Sequence, residues 1–393
     1  MIVVNKKKYF NLFVIIVVVI IYCMYSKTYI YGEALNKEFV DISSPSAVVI
    51  DCDSNRVLYE KNAEEKRKMA SLTKIMTAIM LVENCEMDEL IEVPTDATWI
   101  GGSEVGLKKG DKVSAKSLLY GMLLPSGNDC AYTVGIHIGG TIQNFAYMMN
   151  EKAKQIGVSD TNFTNPHGLD EQLHYTTAKA MAQIMRYALK NKDINEAVNT
   201  KTATINFGSF SKQLTNTNAL LTTYEKADGG KTGFTNGANR CLIASASDTN
   251  RRFIAVILGA QNTKERFGDA KTILEECFRK YTKTDISKYL NFYINIPVEK
   301  GNIDNYERQI SEEFTVALSK EEYEKIYIKQ DIVQNIVPPM RASTKLGTIN
   351  VYIDEEKIIG KDIYLEENIY KKTINDYMRQ ILEDMFKDKY EGL

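Results

Sequence analysis

Histidine is scarce in this chain, and its cysteines lack a metal-binding spacing. The three histidines, His137, His167 and His174, include no H-x-x-x-H pair. That removes the usual helical signature of a zinc hydrolase. Of the six cysteines, Cys23 falls in an N-terminal apolar run, and Cys52, Cys85, Cys130, Cys241 and Cys277 are left, an odd number with no C-x-x-C. Neither a full disulfide framework nor a zinc ribbon is expected. Most of these cysteines read as small buried apolar residues. A strong charge of one sign is also missing, since the net charge is −2. Nothing therefore points to nucleic acid. There is no internal repeat and no low-complexity tract. No cofactor and no catalytic metal is expected.

What is present is ordinary globular composition, 44% hydrophobic and 25% charged, over 393 residues. That length suggests two domains. Lys6-Lys7-Lys8 precede an apolar run from Leu12 to Tyr25. A basic stretch followed by a short apolar one reads as an export signal, with a small-x-small cleavage site ending at Ala34. The run of 14 residues is shorter than the roughly 20 that a spanning helix needs. Residues 1–34 are expected to be a signal peptide or an uncleaved N-terminal anchor.

Further along, Ala47–Ile50 and Arg56–Tyr59 flank a turn-rich segment and predict a hairpin. Leu72, Ile75, Met76, Ile79, Met80 and Val82 recur at helical spacing. Leu118–Leu124 reads as a helix up to Pro125, and another begins near Ala131. Arg240–Ser247 and Arg252–Leu258 predict a second hairpin, and Thr263–Tyr281 a helix. Short strands punctuated by Pro and Gly then run from Tyr289 to about Tyr364. Tyr370, Ile374, Tyr377, Met378, Ile381, Leu382, Met385 and Phe386 end the chain as the apolar stripe of an amphipathic helix.

Three triplets carry the chemistry. Ser71-Leu72-Thr73-Lys74, Ser126-Gly127-Asn128 and Lys231-Thr232-Gly233 occur once each, in that order, 55 and 105 residues apart from serine to serine to lysine. On a helix, Ser71 and Lys74 share a face, and the helix start brings positive charge to the serine. A serine hydroxyl is a weak nucleophile and needs a base. No His–Asp pair has suitable spacing, so Lys74 is the candidate base. A free lysine titrates near 10.4, and burial beside a second cation, Lys231, would lower it. Ser126 is placed to relay a proton to a leaving amine, and Asn128 to hold a substrate carbonyl. The backbone N–H groups of Ser71 and Phe234 are the natural oxyanion donors. The general association of such motifs with β-lactamases and penicillin-binding proteins is well known.

Beyond the triplets, the chain resembles the low-molecular-weight penicillin-binding proteins, which are serine-type D-alanyl-D-alanine carboxypeptidases. The likeness includes Arg56–Ala63 with Ala70–Ala78, Gly110-Asp111-Lys112-Val113, Asn165–Asp170, and Gly347-Thr348-Ile349 within a region from Ile296 to Ile363. It covers roughly residues 40 to 390. The resemblance implies a mixed α/β, transpeptidase/β-lactamase-like domain at 38–284, with an antiparallel five-stranded sheet flanked by helices. A small all-β domain at 285–366 and an amphipathic helix at 367–393 would follow. It implies catalytic Ser71, Lys74, Ser126, Asn128 and Lys231, with substrate bound by Lys231, Thr232, Gly233, Phe234 and Thr235. The expected partners are peptidoglycan stem peptides ending in D-Ala-D-Ala, β-lactams, and a membrane surface met through the N-terminal segment or the C-terminal helix. The protein is expected to be exported to the outer face of the cytoplasmic membrane or the cell wall space. One departure stands out. Some members carry arginine in an Asn-Arg-Asn-x-Leu-Leu stretch, and here Thr217 takes that place. Lys231, Thr232 and Thr235 would then hold the substrate carboxylate, or Arg240 would reach it. The alternatives are a class A β-lactamase, whose E-x-x-L-N loop is missing, and a non-catalytic peptidoglycan-binding or penicillin-binding module.

Overall fold

The computed structural model describes residues 40–287, 292–310, 313 and 315–387. The segment expected to direct export, 1–34, lies outside the described residues. The chain divides into two compact units between Arg279 and Lys280. That is a few residues ahead of the expected boundary, because the strand Thr282–Asp285 pairs with Thr315–Leu318 in the second unit.

The first unit begins with β1 (Ser46–Asp51) and β2 (Val57–Lys61), joined as a hairpin. Asp51 closes the turn by accepting hydrogen bonds from the amide and hydroxyl of Ser54. Two small hairpins follow, β3 (Leu90–Glu92) with β4 (Lys112–Ser114), and β5 (Thr202–Asn206) with β6 (Ser211–Thr215). Then come β7 (Ala227–Thr235), β8 (Asn239–Ser247) and β9 (Arg252–Ala260). The main sheet has the order β2-β1-β9-β8-β7 and is antiparallel throughout. Strand β9 is apolar along its length because both of its faces are covered. Ile254, Val256 and Leu258 join the main core. Phe253 faces the other way and packs its ring 4.7 Å from that of Phe278. Alternation of side chains across a strand produces this division.

Helices α1 (Lys74–Asn84), α2 (Ala115–Leu123), α3 (Asn128–Gly139), α4 (Ile142–Ile156), α5 (Ala178–Ala188) and α6 (Lys192–Asn199) form a lobe against one face. Helix α7 (Leu220–Thr223) is a single turn, and α8 (Thr263–Lys280) carries Phe278 on the opposite face. Helix α1 is buried nearly all round, as suits a helix at the centre of its lobe. Ile75, Met76, Ile79, Met80 and Leu81 are all buried on it. Each contributes roughly 1.5–3 kcal/mol relative to exposure, which helps offset the cost of burying Lys74 on the same helix.

The second unit is mostly β-structure. Strands β10 (Thr282–Asp285) and β13 (Thr315–Leu318) pair, as do β11 (Phe292–Pro297) and β12 (Asn305–Ile310). A three-stranded sheet joins β14 (Ile326–Ile332), β15 (Lys345–Ile353) and β16 (Glu356–Tyr364). Its core includes Ile294, Ile310, Val316, Leu346, Ile349, Val351 and Ile363. The chain then enters α9 (Ile374–Lys387). Thr373 caps this helix: its hydroxyl accepts from the Asp376 amide, and its own amide donates to the Asp376 carboxylate. Among the described residues, no helix is long and apolar enough to cross a membrane.

Candidate active site

Ser71 sits in a 3-10 turn, Ala70–Thr73, that leads directly into α1. The turn is tightly held. Ala70 has φ +49°, an unusual value for a residue with a side chain. The Thr73 hydroxyl donates to the Ala70 carbonyl at 2.8 Å and is itself 2.7 Å from His174 Nε2. His174 Nδ1 accepts from the Thr164 amide, so Nε2 carries the ring proton and donates to Thr73. Burial pushes the His174 pKa down to about 4, which keeps the ring neutral in this role. Gly168 closes the turn from outside. A Cβ there would stand 1.9 Å from the Ala70 oxygen, and the residue has φ +91°.

Lys74 opens α1 and is wholly buried. Its Nζ meets three oxygens: Ser71 Oγ at 2.9 Å, Asn128 Oδ1 at 2.7 Å and the His167 carbonyl at 2.8 Å. Burial, and then the charge of Lys231, holds the Lys74 amine well below the usual lysine range. Lys231, on β7, is also fully buried, and its Nζ donates to the Thr232 carbonyl at 2.9 Å. Burial and then Arg266 lower its pKa to about 7. Arg266 lies on α8 and donates to the carbonyls of Gly233 and Cys241 at 3.3 and 3.5 Å. Three basic groups thus form a graded series running inward, Arg266 to Lys231 to Lys74, in which each lowers the pKa of the next.

Ser126 has φ +74° and a buried hydroxyl with no hydrogen-bond partner among the described residues. Asn128 begins α3. Its Oδ1 serves Lys74 and its Nδ2 donates to the Gly101 carbonyl at 2.7 Å. The Nδ2 group carries two hydrogens, so it can donate to a substrate carbonyl with the second while the first stays on Gly101. Beside it, the Asp129 carboxylate accepts from the amides of Val105, Gly106, Leu107 and Cys130. This anchors the loop that supplies Gly101.

Strand β7 passes close to the nucleophile. A Cβ on Gly233 would lie 3.1 Å from the Ser71 nitrogen and 3.0 Å from the Met69 oxygen, so glycine permits the approach. The Thr232 and Thr217 hydroxyls are 2.6 Å apart. Thr235 donates its hydroxyl to Asp170 at 2.8 Å, and Asp170 also accepts from the Gly237 amide. Arg240 is held by Thr263 and the Gln261 carbonyl, and lies over the exposed ring of Phe234. The 165–171 loop reaches Lys74 with a backbone oxygen only. Its carboxylates are engaged elsewhere, Asp170 on β7's end and Glu171 on Asn165.

A serine with a depressed lysine three residues on, a second buried lysine on an edge strand and a five-stranded antiparallel sheet define a serine acyl-transfer hydrolase of the penicillin-binding type. Residues 33–262 match the D-alanyl-D-alanine carboxypeptidase family. The chain belongs to that family and is a serine peptidase. Residues 291–371 match the C-terminal domain of penicillin-binding protein 5. The chain is 32% identical over 352 residues to the D-alanyl-D-alanine carboxypeptidase DacF of Bacillus subtilis, covering 88% of this chain and 90% of that one. A crystal structure of the D-alanyl-D-alanine carboxypeptidase DacD from Francisella tularensis is similar at 26% identity and TM-score 0.66, covering 85% of this chain and 95% of that one. Penicillin-binding protein 5 from Haemophilus influenzae shares the fold, with TM-score 0.73 at 24% identity over 84% of this chain and 99% of that one.

Arg266, Asp129 and His174 were not legible as site residues in the sequence. Asp129 and His174 each lie within seven residues of a recognised motif, which is the signal that was available for them.

Proposed function

We propose that the chain removes the terminal D-alanine from peptidoglycan stem pentapeptides through an acyl-enzyme on Ser71. The observation that carries this reading is the set of three oxygens around Lys74 Nζ. A neutral amine has two hydrogens and one lone pair. Asn128 Oδ1 and the His167 carbonyl accept the hydrogens, which leaves the lone pair for the Ser71 hydroxyl. Ser71 Oγ attacks the scissile carbonyl as its proton passes to Lys74. The Ser71 and Phe234 amides stabilise the oxyanion. The Ser126 hydroxyl relays the proton from Lys74 to the departing D-alanine amine as the peptide bond breaks. Water then attacks the ester as Lys74 accepts its proton, and the bond to Ser71 Oγ breaks as Lys74 returns that proton to the serine. Lys231 and Thr232 bind the substrate's terminal carboxylate, with Thr217 supporting Thr232 where some relatives have arginine. Thr235 joins them only by releasing Asp170. β-Lactams acylate the same serine.

The protein works outside the cytoplasmic membrane on this reading, delivered by the N-terminal segment and held at the lipid surface by α9. Tyr370, Ile374, Tyr377, Met378, Ile381 and Leu382 are all exposed, which supports burial in lipid rather than against the β unit. The side chains of Met385 and Phe386, at the end of the stripe, lie outside the described residues.

Mass spectrometry of the full chain with penicillin and with a D-Ala-D-Ala pentapeptide tests the reading. One adduct on the Ser71 peptide, and release of one D-alanine per pentapeptide, are expected. An adduct elsewhere would rule out the nucleophile. Acylation by penicillin without any peptide turnover would favour a binding module.

A further inference from the structure

At the far ends of the two helices that hold Lys74 and Asn128, a second cluster of reactive side chains converges. Cys85 follows the last residue of α1, and its amide closes the helix on the Leu81 carbonyl. Glu89 ends a turn before β3, with its amide on the Glu86 carbonyl and its own carbonyl fixed by the Ala115 amide. His137 lies in the last turn of α3. The thiol sulfur, a carboxylate oxygen and a ring nitrogen all lie within 4.8 Å of one another. His137 Nε2 is 2.9 Å from Glu89 Oε1.

We propose that Cys85, Glu89 and His137 form a structural binding site for a zinc-class divalent cation. Ligand bonds of about 2.0–2.3 Å put the donor atoms of a tetrahedral site about 3–4 Å apart. Small side-chain rotations bring these three to that spacing. The backbones behind Cys85 and Glu89 are already hydrogen-bonded, so little order is lost on binding. Thiolate with imidazole and a single carboxylate selects zinc over magnesium or calcium, which prefer oxygen. Two helices end here, and their C-termini carry partial negative charge that favours a cation. Cys85 and Glu89 are half-buried while His137 is exposed, which leaves an entry path and room for a water as fourth ligand.

The Cys85 thiol releases its proton to solvent as the metal–sulfur bond forms, and His137 binds as neutral imidazole in place of its contact with Glu89. The cluster stands about eleven residues along α1 from Lys74, roughly 16 Å at 1.5 Å per residue. The metal therefore braces the helix pair and takes no part in acyl transfer.

The test uses the tag-free full chain in detergent, stripped with a chelator and titrated with Co²⁺ and then Zn²⁺. One Co²⁺ per chain is expected, with a near-ultraviolet sulfur-to-cobalt charge-transfer band that Zn²⁺ abolishes by displacement. Cys85→Ser should remove the band. Cys85→Ser and His137→Gln should each weaken binding by more than about 10-fold, since even outer-shell partners are worth that much. Penicillin acylation should be the same in metal-loaded, metal-free and variant protein, and this also reports that each variant is folded. His137→Gln, at an exposed position, keeps the test available if Cys85→Ser fails to fold. No saturable binding, cobalt bound without the thiolate band, or binding that a folded variant retains would overturn the proposal and leave the cluster as a His137–Glu89 hydrogen-bonded contact.

Discussion

In the first unit two lysines, Lys74 and Lys231, have no solvent exposure, while in the second Ile374, Met378, Ile381 and Leu382 are each more than half exposed. Each region departs from apolar-inside and polar-outside, and they depart in opposite directions. Burying an amine is costly unless it is hydrogen-bonded or neutral. The first unit meets that cost with three oxygens on Lys74 and with depressed lysine pKa values. Exposing an apolar stripe is costly unless something covers it. The described residues of the second unit leave the stripe open. On the proposed reading both departures mark where this protein meets another molecule, a substrate in one case and a lipid surface in the other.

The largest loss is expected at the nucleophile. Ser71→Ala should lower peptide turnover by roughly 10⁴–10⁶ and abolish the penicillin adduct, with the fold intact by circular dichroism. A persistent adduct would move the reaction to another residue. Gly168→Ala should follow, because its Cβ collides with the Ala70 oxygen at a left-handed backbone position. A stability loss of about 2–5 kcal/mol in denaturant unfolding, together with slower acylation, is expected. A neutral substitution would mean that the turn around Ser71 is looser than described.

Lys231→Met sharpens the comparison through pH. In the folded chain the Lys231 pKa is about 7, against an ordinary value of 10.5. Between those values the unfolded chain binds more protons than the folded one, so wild-type stability should rise with pH across that window and level off above it. Below about pH 7 the lysine is charged in both states, and the destabilising effect of its burial is then fully expressed. The variant should lose that rise, a difference of a few kcal/mol at the top of the window. Parallel stability curves for the two proteins would show that Lys231 stays charged when folded.

The mildest change in catalysis is expected from deleting residues 368–393. Turnover of a soluble peptide should be unchanged. Liposome binding by protein lacking residues 1–34 should disappear, and before the deletion it should depend only weakly on salt, because the helix is near-neutral in charge. If the deletion instead unfolds the β unit and liposome binding was never present, the exposed stripe has a structural use.

The sequence was most legible where the chemistry is local. Ser71 and Lys74 are three residues apart on one turn, and the Lys231 triplet lies on a strand long enough to read. The five-stranded sheet followed from apolar β-rich runs together with the family likeness. The small hairpins β3–β4 and β5–β6 did not, since three to five residues carry little alternation. Arg266 was hidden for a different reason. It falls at an unremarkable position on an ordinary helix, and only the packing of α8 against the sheet brings it beside Lys231. Asp129 directly follows the Ser126 triplet, and its role as an acceptor for three loop amides depends on residues more than twenty positions earlier. His174 supports the Ala70 carbonyl only through Thr73, across a hundred residues of sequence.

The account rests on Lys74 as a neutral base held beside Ser71. The most direct measurement is the rate of Ser71 acylation by penicillin in wild type and in Lys74→Ala, each followed by mass spectrometry at several pH values. A rate lower by roughly 10²–10⁴ is expected in the variant, with wild type still fast near neutral pH because burial and Lys231 hold the amine well below the ordinary lysine range. An unchanged rate in folded Lys74→Ala, or a wild-type rate that rises only near the ordinary lysine range, would contradict it.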